Sequence, residues 1–327
     1  MMRKEDFSVL YWGVAGAGKI STDFFVAVAS RSIEAAKKFS ILHQIGLSYG
    51  SYELLAQDNA VQIVYIGNLN TDHFETAKLF LDHGKHVLME KPLTMNAKQT
   101  IELTSYAKNK GLFLMEALWS RFLPAYEFVM EQIKSGTIGR PLSVDASFGE
   151  AGLDQVDRLV KKKLGGGTIL DLGVYAINII QMTFDNEFPL KIGAVGHLNE
   201  DGVDLSVAAS LKYSNGRSGT LRTHSQVNMP NEAVIVGTDG IIKLERMFHC
   251  ADTVHVNGVR HEFPLGPNTK LMNFFNSRGL RFEADAVRQA LINGQCEHET
   301  MKHEHSVTIA RIEDEIRRQI GVRFDVD

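Results

Sequence analysis

The chain has 327 residues, of which 44% are hydrophobic and 23% charged, and its formal net charge is −4 at pH 7. This length exceeds the usual size of one domain, so we expect two. With more acidic than basic residues, the chain does not have the excess of positive charge with which proteins bind phosphate backbones. Its apolar runs are shorter than the roughly 20 residues of a membrane-spanning helix. Neither nucleic acid nor a membrane is therefore an expected partner, and without a visible secretory signal we expect a soluble, cytoplasmic protein.

The cysteines and the clustered histidines do not suggest a metal site. Cys250 and Cys296 are isolated, outside any CxxC motif or Cys/His cluster with ligand spacing. His298, His303 and His305 lie close together, but charged residues alternate with them as on a solvated helix face. We therefore predict no metal.

Strand and helix patterns alternate through residues 1–117. Ser8 to Ala15 predicts a buried strand that ends in a glycine cluster, and Phe25 to Ala29 predicts a second strand, followed by a helix that Ser32 caps. Further strand patterns lie at 61–67, 87–90 and 112–115, and further helix patterns at 51–57, 71–83 and 96–109. The alternation predicts an α/β dinucleotide-binding domain with a doubly wound parallel sheet of the Rossmann type.

From residue 118 onward the pattern changes to that of an α+β domain. After a helix pattern at 124–135, turn residues such as Asn215-Gly216 and Asp239-Gly240 separate the strand candidates, which is the hairpin signal of an antiparallel sheet. These strand candidates are 142–149, 191–198, 205–213, 219–227, 233–237 and 240–245, and helix patterns follow at 281–293 and 303–318. Residues 118–327 are thus predicted to form a substrate-binding and dimerisation domain with a large, mostly antiparallel open sheet.

The outer face of an open sheet needs a cover. We expect Ala208, Leu211, Ala233 and Ile235 to lie on that face, where a second copy of the chain would bury them. The sequence therefore predicts a homodimer that forms through the C-terminal sheet.

A glycine-rich turn follows the first predicted strand. Its glycines stand where the strand must turn sharply and let its backbone approach a pyrophosphate. We expect a dinucleotide to bind at Gly13, Gly16, Gly18, Lys19 and Ile20.

The end of the second predicted strand indicates which dinucleotide binds. An acidic residue is expected there if the site holds the ribose 2′-hydroxyl of NAD, but the chain has Arg31 and Ser32. A cation and a hydroxyl suit the 2′-phosphate of NADP. NADP is thus the predicted cofactor, and the alternative is that Arg31 is an ordinary surface residue.

The first crossover is unusually short. Only Lys19 to Phe24 separate Gly18 from Phe25, whereas a parallel crossover needs at least about 10 to 12 residues. Either Phe25 to Ala29 still pairs as the second strand, which we favour, or Ser21 to His43 forms one long helix and a strand is lost. In both cases the phosphate site is affected.

Two further segments contain candidate catalytic residues. Glu90-Lys91-Pro92 directly follows a predicted strand, so these residues emerge at the carboxyl end of the sheet, where ligands bind. The glycine-rich segment 165–175 opens a helix, on which Asp171 and Tyr175 are four apart and share one face. A tyrosine beside an ammonium group has a lowered pKa and can move a proton near neutral pH.

These segments resemble the Gfo/Idh/MocA oxidoreductase family. The tripeptide at 90–92 and the GGG-x3-D-x-G-x-Y pattern at 165–175 are similar to the family's motifs, and the segments 115–122 and 148–149 are similar to its dihydrodiol dehydrogenase branch. The resemblance runs from about Leu10 to Phe324. Most of the broader family has histidine at the position of Tyr175, which is the feature that selects this branch.

The resemblance implies a reaction and residue roles. The reaction is oxidation of a secondary alcohol or lactol carbon by NADP+, with trans-dihydrodiols of benzene or naphthalene and pentoses such as D-xylose as substrates, and reduction of dicarbonyls is also implied. Tyr175 would be the general base, Lys91 would lower its pKa and hold the substrate oxygen, and Asp171 would orient the pair. Glu90 and Pro92 would join Lys91 at the cofactor, and the substrate pocket would comprise Trp119, Phe148 and Arg121.

Other interpretations stay open at this point. Asp171 could be a first-turn helix charge, and Trp119 and Phe148 could be core aromatics. The chain could also be a non-catalytic NADP-binding or regulatory relative, because the short crossover affects the cofactor site, or an NAD-dependent sugar or inositol dehydrogenase. The retained catalytic candidates favour an enzyme, and Arg31 and Tyr175 favour the NADP-dependent branch.

Overall fold

The computed structural model describes residues 10–16, 27–267, 272 and 274–327. The chain divides into two compact units, the first made of 1–93, 99–119 and 266–303 and the second of 94–98, 120–265 and 304–327. It therefore passes between the units more than once, whereas the sequence suggested one boundary after residue 117. Among the described residues, no helix is both long and apolar enough to cross a membrane.

The first unit contains a six-stranded parallel sheet with strand order β3-β2-β1-β4-β5-β6. This is the strand order of a Rossmann fold and confirms the predicted doubly wound sheet. The short half-exposed strand β3 was not predicted. The strands are β1 (Trp12–Ala15), β2 (Ala27–Ala29), β3 (Leu47–Tyr49), β4 (Ile63–Ile66), β5 (His86–Glu90) and β6 (Leu114–Ala117).

The second strand is present despite the short crossover. β2 pairs in parallel with β1, with Gly13 opposite Ala27 and Ala15 opposite Ala29. The outcome that we favoured is confirmed for residues 27–29, while Phe25 lies outside the described residues. The connection from β1 to β2 is limited to residues 16–26, close to the minimum for a parallel crossover.

The core of the first unit lies where helices cover this sheet. Strand residues such as Val64, Val87 and Leu114 are fully buried, and they pack in one cluster with Phe80 and Leu103 from two helices. The described helices along the whole chain are α1 (Ile33–His43), α2 (Tyr52–Ala56), α3 (His73–Asp82), α4 (Ala97–Lys110), α5 (Pro124–Lys134), α6 (Asp157–Val160), α7 (Val174–Thr183), α8 (Leu280–Ile292) and α9 (His303–Ile320).

The second unit contains an eight-stranded sheet with strand order β14-β13-β12-β11-β7-β10-β9-β8. Its described pairs are antiparallel except for β7 with β10, which confirms the mostly antiparallel sheet. The strands are β7 (Pro141–Gly149), β8 (Lys191–Leu198), β9 (Asp204–Lys212), β10 (Ser218–His224), β11 (Ala233–Gly237), β12 (Ile241–Leu244), β13 (Thr253–Val256) and β14 (Val259–Glu262).

The residues predicted to lie on the outer face of this sheet were mostly wrong. Leu211, Ala233 and Ile235 are at most 1% exposed and belong to the inner face, and only Ala208 is exposed. Successive side chains of a strand alternate between the two faces, and the sequence pattern does not say which face a helix covers. The exposed face instead presents residues such as Val195, which is 71% exposed. The homodimer itself stays a prediction.

The buried His73 and the half-buried His86 should make the fold sensitive to acid. The Nδ1 atom of His86 accepts the N–H of Phe113 at 3.0 Å, which requires that this nitrogen be unprotonated. Burial lowers the pKa of both His73 and His86 from 6.5 to about 4. The contribution of the two neutral histidines to the stability of the fold is therefore complete above pH 6.5 and is lost as the pH falls toward 4.

We expect the free energy of unfolding to fall across this window by about 1.4 kcal/mol per pH unit for each histidine. Urea unfolding at several pH values measures the slope. His86→Asn retains an acceptor for the N–H of Phe113 but does not titrate, so it should flatten the slope by about half. A free energy of unfolding that is independent of pH in this window would contradict the interpretation.

Candidate active site

At the carboxyl end of β1, Gly16 makes a close backbone contact that only glycine permits. Gly16 has φ +109°, and its N–H donates to the carbonyl of Ala29 at 3.1 Å. A Cβ atom on Gly16 would lie 2.8 Å from the carbonyl oxygen of Gly67 at the end of β4. Gly13 has a packing role inside β1, where a Cβ would meet the side chain of Val61 at 2.9 Å. The other predicted phosphate-loop residues, Gly18, Lys19 and Ile20, lie outside the described residues.

Arg31 and Ser32 follow β2 at the same edge of the sheet. The Arg31 side chain is 71% exposed, and its guanidinium lies 3.5 Å from the carboxylate of Asp72. Ser32 caps α1 as predicted, since its hydroxyl oxygen accepts the N–H of Ala35 at 3.3 Å. The Ser32 hydroxyl also donates to Glu34 at 2.6 Å, and this bond lowers the pKa of that carboxyl group.

These features fit a dinucleotide. Gly16 and Gly67 have no Cβ atom where β1 and β4 end, and glycine backbone of this kind allows a pyrophosphate to approach closely. Ion pairs between exposed side chains contribute only about 0 to 1 kcal/mol, so Arg31 can exchange Asp72 for a phosphate group at little cost.

Hydrogen bonds from β4 and α3 hold the turn after β5. The carboxylate of Glu90 accepts the hydroxyl of Tyr65 and, at 3.1 Å, the N–H of Lys91. His73 lies 2.9 Å from the carbonyl of Pro92 through Nδ1. Because burial lowers its pKa to about 4, His73 is neutral near pH 7 and can donate this bond from Nδ1. The structure thus keeps Lys91 at the carboxyl edge, as the sequence predicts.

Leu93, which ends this turn, has a carboxylate partner. Its N–H donates to Glu116 of β6 at 3.0 Å, so the turn is tied to the neighbouring strand. The sequence does not point to Glu116, because nothing in its local pattern shows that β6 lies beside β5.

The segment with Asp171 and Tyr175 changes helix type between them. Residues Ile169–Gly173 form a π-helical turn, and α7 begins at Val174. The four-residue spacing that aligns side chains on an α-helix therefore does not apply directly here. Asp171 is bound to Arg158 of α6, with 3.0 Å between Nη1 of the arginine and Oδ1 of the aspartate.

A buried carboxylate from another strand caps the start of the helical segment that contains Tyr175. Asp204 of β9 accepts the hydroxyl of Thr168 at 2.7 Å and the N–H of Ile169 at 2.8 Å through Oδ2. Gly167 has φ +121°, and a Cβ there would lie 2.4 Å from Oδ1 of Asp204. The glycines of the segment thus allow Asp204 to reach the first backbone N–H groups of the helix that contains Tyr175.

Two rings from separate segments of the second unit lie beside Tyr175. Phe148, at the end of β7, lies 6.0 Å from Tyr175 between ring centroids. His249, in the short 3₁₀-helix Phe248–Cys250, is stacked on Phe148 at 4.4 Å with 17° between the planes. The same imidazole lies 5.1 Å from the ring of Tyr175. We call Phe148, Tyr175 and His249 the aromatic cluster.

Trp119 and Arg121 differ from Phe148 in their surroundings. Trp119 is 6% exposed and belongs to the first unit. Arg121 is 2% exposed, and its guanidinium bonds Asn178 at 2.6 Å, His305 at 2.9 Å and Asn186 at 3.2 Å within the second unit. These contacts stabilise the interior of that unit, which is compatible with a supporting role for Arg121.

The fold and these features define a dinucleotide-binding oxidoreductase. Residues 11–118 match a family model described as "Oxidoreductase family, NAD-binding Rossmann fold", and residues 126–243 match "GFO/IDH/MocA C-terminal domain". The chain belongs to the Gfo/Idh/MocA family, as the sequence motifs indicated.

Several curated relatives and solved structures within the oxidoreductases are similar to this chain. The chain is 40% identical to trans-1,2-dihydrobenzene-1,2-diol dehydrogenase of Danio rerio and 37% identical to that of Homo sapiens, in both cases over 97% of this chain and 99% of the relative. A 3-ketoreductase from Actinomadura kijaniata, solved with NADP and TDP-benzene, is 25% identical with a TM-score of 0.81, over 95% of this chain and 98% of that one. Levoglucosan dehydrogenase, solved with NADH and L-sorbose, has the same fold at 20% identity, with a TM-score of 0.82 and coverage of 95% and 96%.

Replacing Asp204 tests whether it positions the helix of Tyr175. We expect Asp204→Ala to lower the free energy of unfolding by about 2 to 4 kcal/mol, because two buried donors lose their acceptor. Asp204→Asn is the matched control, since its amide oxygen can accept both bonds and burial already disfavours the charged carboxylate by raising the Asp204 pKa. It should cost less than about 1 kcal/mol by urea unfolding. Equal losses in the two variants would refute the capping role.

Proposed function

We propose that this protein is an NADP-dependent dehydrogenase that oxidises a secondary alcohol or lactol carbon, with trans-dihydrodiols and D-xylose-type sugars as substrates. The observation that carries the proposal is the aromatic cluster, in which Tyr175 lies among aromatic rings on a helix that Asp204 caps. A phenol in such surroundings suits proton transfer from the hydroxyl of a small cyclic substrate. The names of the curated relatives support the same reaction class.

In the proposed reaction, the carbinol carbon is oxidised to a carbonyl. When bound, NADP+ would supply the acceptor for the hydride that leaves that carbon. Tyr175 takes the hydroxyl proton, and Lys91 contributes the ammonium group that the family resemblance assigns to the reaction. Asp171, bound to Arg158, restrains the start of the helix. Phe148 offers an apolar face to the substrate ring, and we assign the same role to Trp119.

The preference for NADP follows from the residues after β2. Arg31 and the hydroxyl of Ser32 occupy the position where an acidic residue would bind the ribose of NAD. The guanidinium of Arg31 is exposed and planar, with the geometry that binds a phosphate through two parallel hydrogen bonds.

The first test concerns the general base. Tyr175→Phe retains the ring contacts but removes the hydroxyl, so we expect kcat to fall by roughly 100-fold or more while NADPH affinity is unchanged. Tyr106→Phe is the matched control, because the Tyr106 hydroxyl bonds Asp82 on a partly exposed helix of the first unit. Steady-state oxidation of trans-dihydrodiols and D-xylose measures both variants.

Wild-type turnover in Tyr175→Phe would exclude Tyr175 as the base. A wild-type protein that binds NADPH but oxidises neither substrate would instead favour the non-catalytic NADP-binding alternative.

The second test concerns the cofactor. We expect Arg31→Ala to raise the Kd of NADPH by about 10- to 100-fold, because the charge-assisted bonds to the 2′-phosphate are lost, and to change the Kd of NADH by less than about threefold. Arg323→Ala removes the same charge from an exposed position and should change neither value. Fluorescence titration of both nucleotides measures the difference. Equal weakening of NADPH and NADH in Arg31→Ala would contradict the assignment.

A further inference from the structure

His249 is the second polar member of the aromatic cluster beside Tyr175, and several contacts fix its position. The carbonyl of His249 accepts the hydroxyl of Ser120, and the neighbouring carbonyl of Phe248 accepts the hydroxyl of Tyr126 at 3.0 Å. The N–H of Phe248 donates to the carbonyl of Asn231 at 3.0 Å. Because its backbone is anchored on both sides, the imidazole is held in place against Phe148.

The stack determines what this ring can offer to a ligand. The planes of His249 and Phe148 are only 17° apart, so one imidazole face is covered by the phenyl ring. The two ring nitrogens donate and accept in the plane of the ring, and stacking does not block that plane. His249 is also half-buried, so hydrogen bonds to it form in surroundings where water competes less than at an exposed site.

We propose that His249 is a specificity-determining residue that favours hydroxyl-rich pyranoses over arene dihydrodiols. This inference rests on the proposed function, because it takes Tyr175 as the point of reaction. A substrate that reacts at Tyr175 lies beside His249, whose ring centroid is 5.1 Å from that of Tyr175. Both substrate classes share two vicinal hydroxyls, but only the pyranose has further hydroxyls around its ring.

The expected difference in binding free energy between sugars and dihydrodiols has a direct physical cause. A sugar hydroxyl that leaves water for an apolar wall without a new partner is penalised, whereas one that bonds the imidazole is not. The remaining carbons of a dihydrodiol have no polar group to match, so the ring nitrogens gain nothing from them. His249 therefore discriminates by hydrogen bonding, which separates substrates more strongly than a change in apolar contact area.

The test compares two substrates in three variants of the full chain. His249→Phe retains an aromatic ring for Phe148 but has no ring nitrogens, and we expect kcat/KM for D-xylose to fall by about 10- to 30-fold. The kcat/KM for trans-1,2-dihydrobenzene-1,2-diol should change by less than about threefold or rise. His249→Gln restores a donor and an acceptor and should recover part of the D-xylose activity. His83→Phe, at an exposed position in the first unit, is the control and should change neither value.

A loss of the same size for both substrates, or an unchanged ratio, would overturn the role of His249. Thermal melting within a few degrees of the wild type excludes misfolding as the cause, and His249→Gln provides a second variant if His249→Phe fails to fold.

Binding measurements separate this inference from the proposed function. Saturation-transfer NMR with D-xylose, with and without NADPH, should show binding to the wild type and to Tyr175→Phe, and weaker binding to His249→Phe. If the wild type binds D-xylose in this way but oxidises neither D-xylose nor the dihydrodiol, the proposed function fails and the role of His249 in sugar binding stands. If the wild type does not bind D-xylose, the role of His249 is wrong, and turnover of the dihydrodiol still tests the proposed function.

Discussion

The parallel pairing of β1 with β2 on one side and with β4 on the other is the constraint on which the dinucleotide-binding unit depends. Parallel strands share one direction, so their carboxyl ends come to the same edge of the sheet. Gly16 follows β1, Arg31 follows β2, and Glu90 ends the next parallel strand, β5. The contact of Gly16 with Gly67 shows how closely the backbones approach there, since a Cβ atom would already collide. The short connection of residues 16–26 is compatible with this pairing, because β2 retains its register against β1.

The second unit depends in a similar way on one buried carboxylate. Asp204 reaches the start of the helix from a different strand, and the hydroxyl of Thr168 lies 2.7 Å both from Asp204 and from the hydroxyl of Thr223. Burial raises the pKa of Asp204, and the bonds from Thr168 and Ile169 oppose that shift. The arrangement is therefore stabilised by hydrogen bonding of a desolvated group, and it anchors the start of the helical segment that contains Tyr175.

The candidate chemistry arises where segments far apart in the chain meet. Phe148 comes from a strand end, Tyr175 from the first turn of a helix and His249 from a short 3₁₀-helix, and each is held by its own hydrogen-bonded element. The rings form an apolar surface with one polar member beside the proposed base. The oxidoreductase class follows from the fold and the family, whereas we propose that side chains such as His249 set the choice between a dihydrodiol and a sugar.

The sequence by itself determined the two sheets and most of the proposed catalytic positions. Alternating strand and helix patterns predicted the parallel sheet, Asn-Gly and Asp-Gly turns predicted the antiparallel one, and two motifs led to Lys91 and Tyr175. The hairpin of β13 and β14 was missed. Its turn, Asn257-Gly258, is also of the Asn-Gly type and has the positive φ angles, 51° and 82°, that hairpin turns of this type require. These features could be predicted because turn chemistry and periodicity are local properties of the chain.

Only the tertiary structure decided which side chains meet. The buried face of the second sheet, the bond of Arg158 to Asp171, the cap from Asp204 and the stack of His249 on Phe148 all join residues that are distant in the chain. A lone histidine or aspartate has no local pattern that names its partner. Local periodicity determines whether a segment forms a strand or a helix, but the pairing of distant segments determines what each side chain contacts, and that pairing is a property of the whole fold.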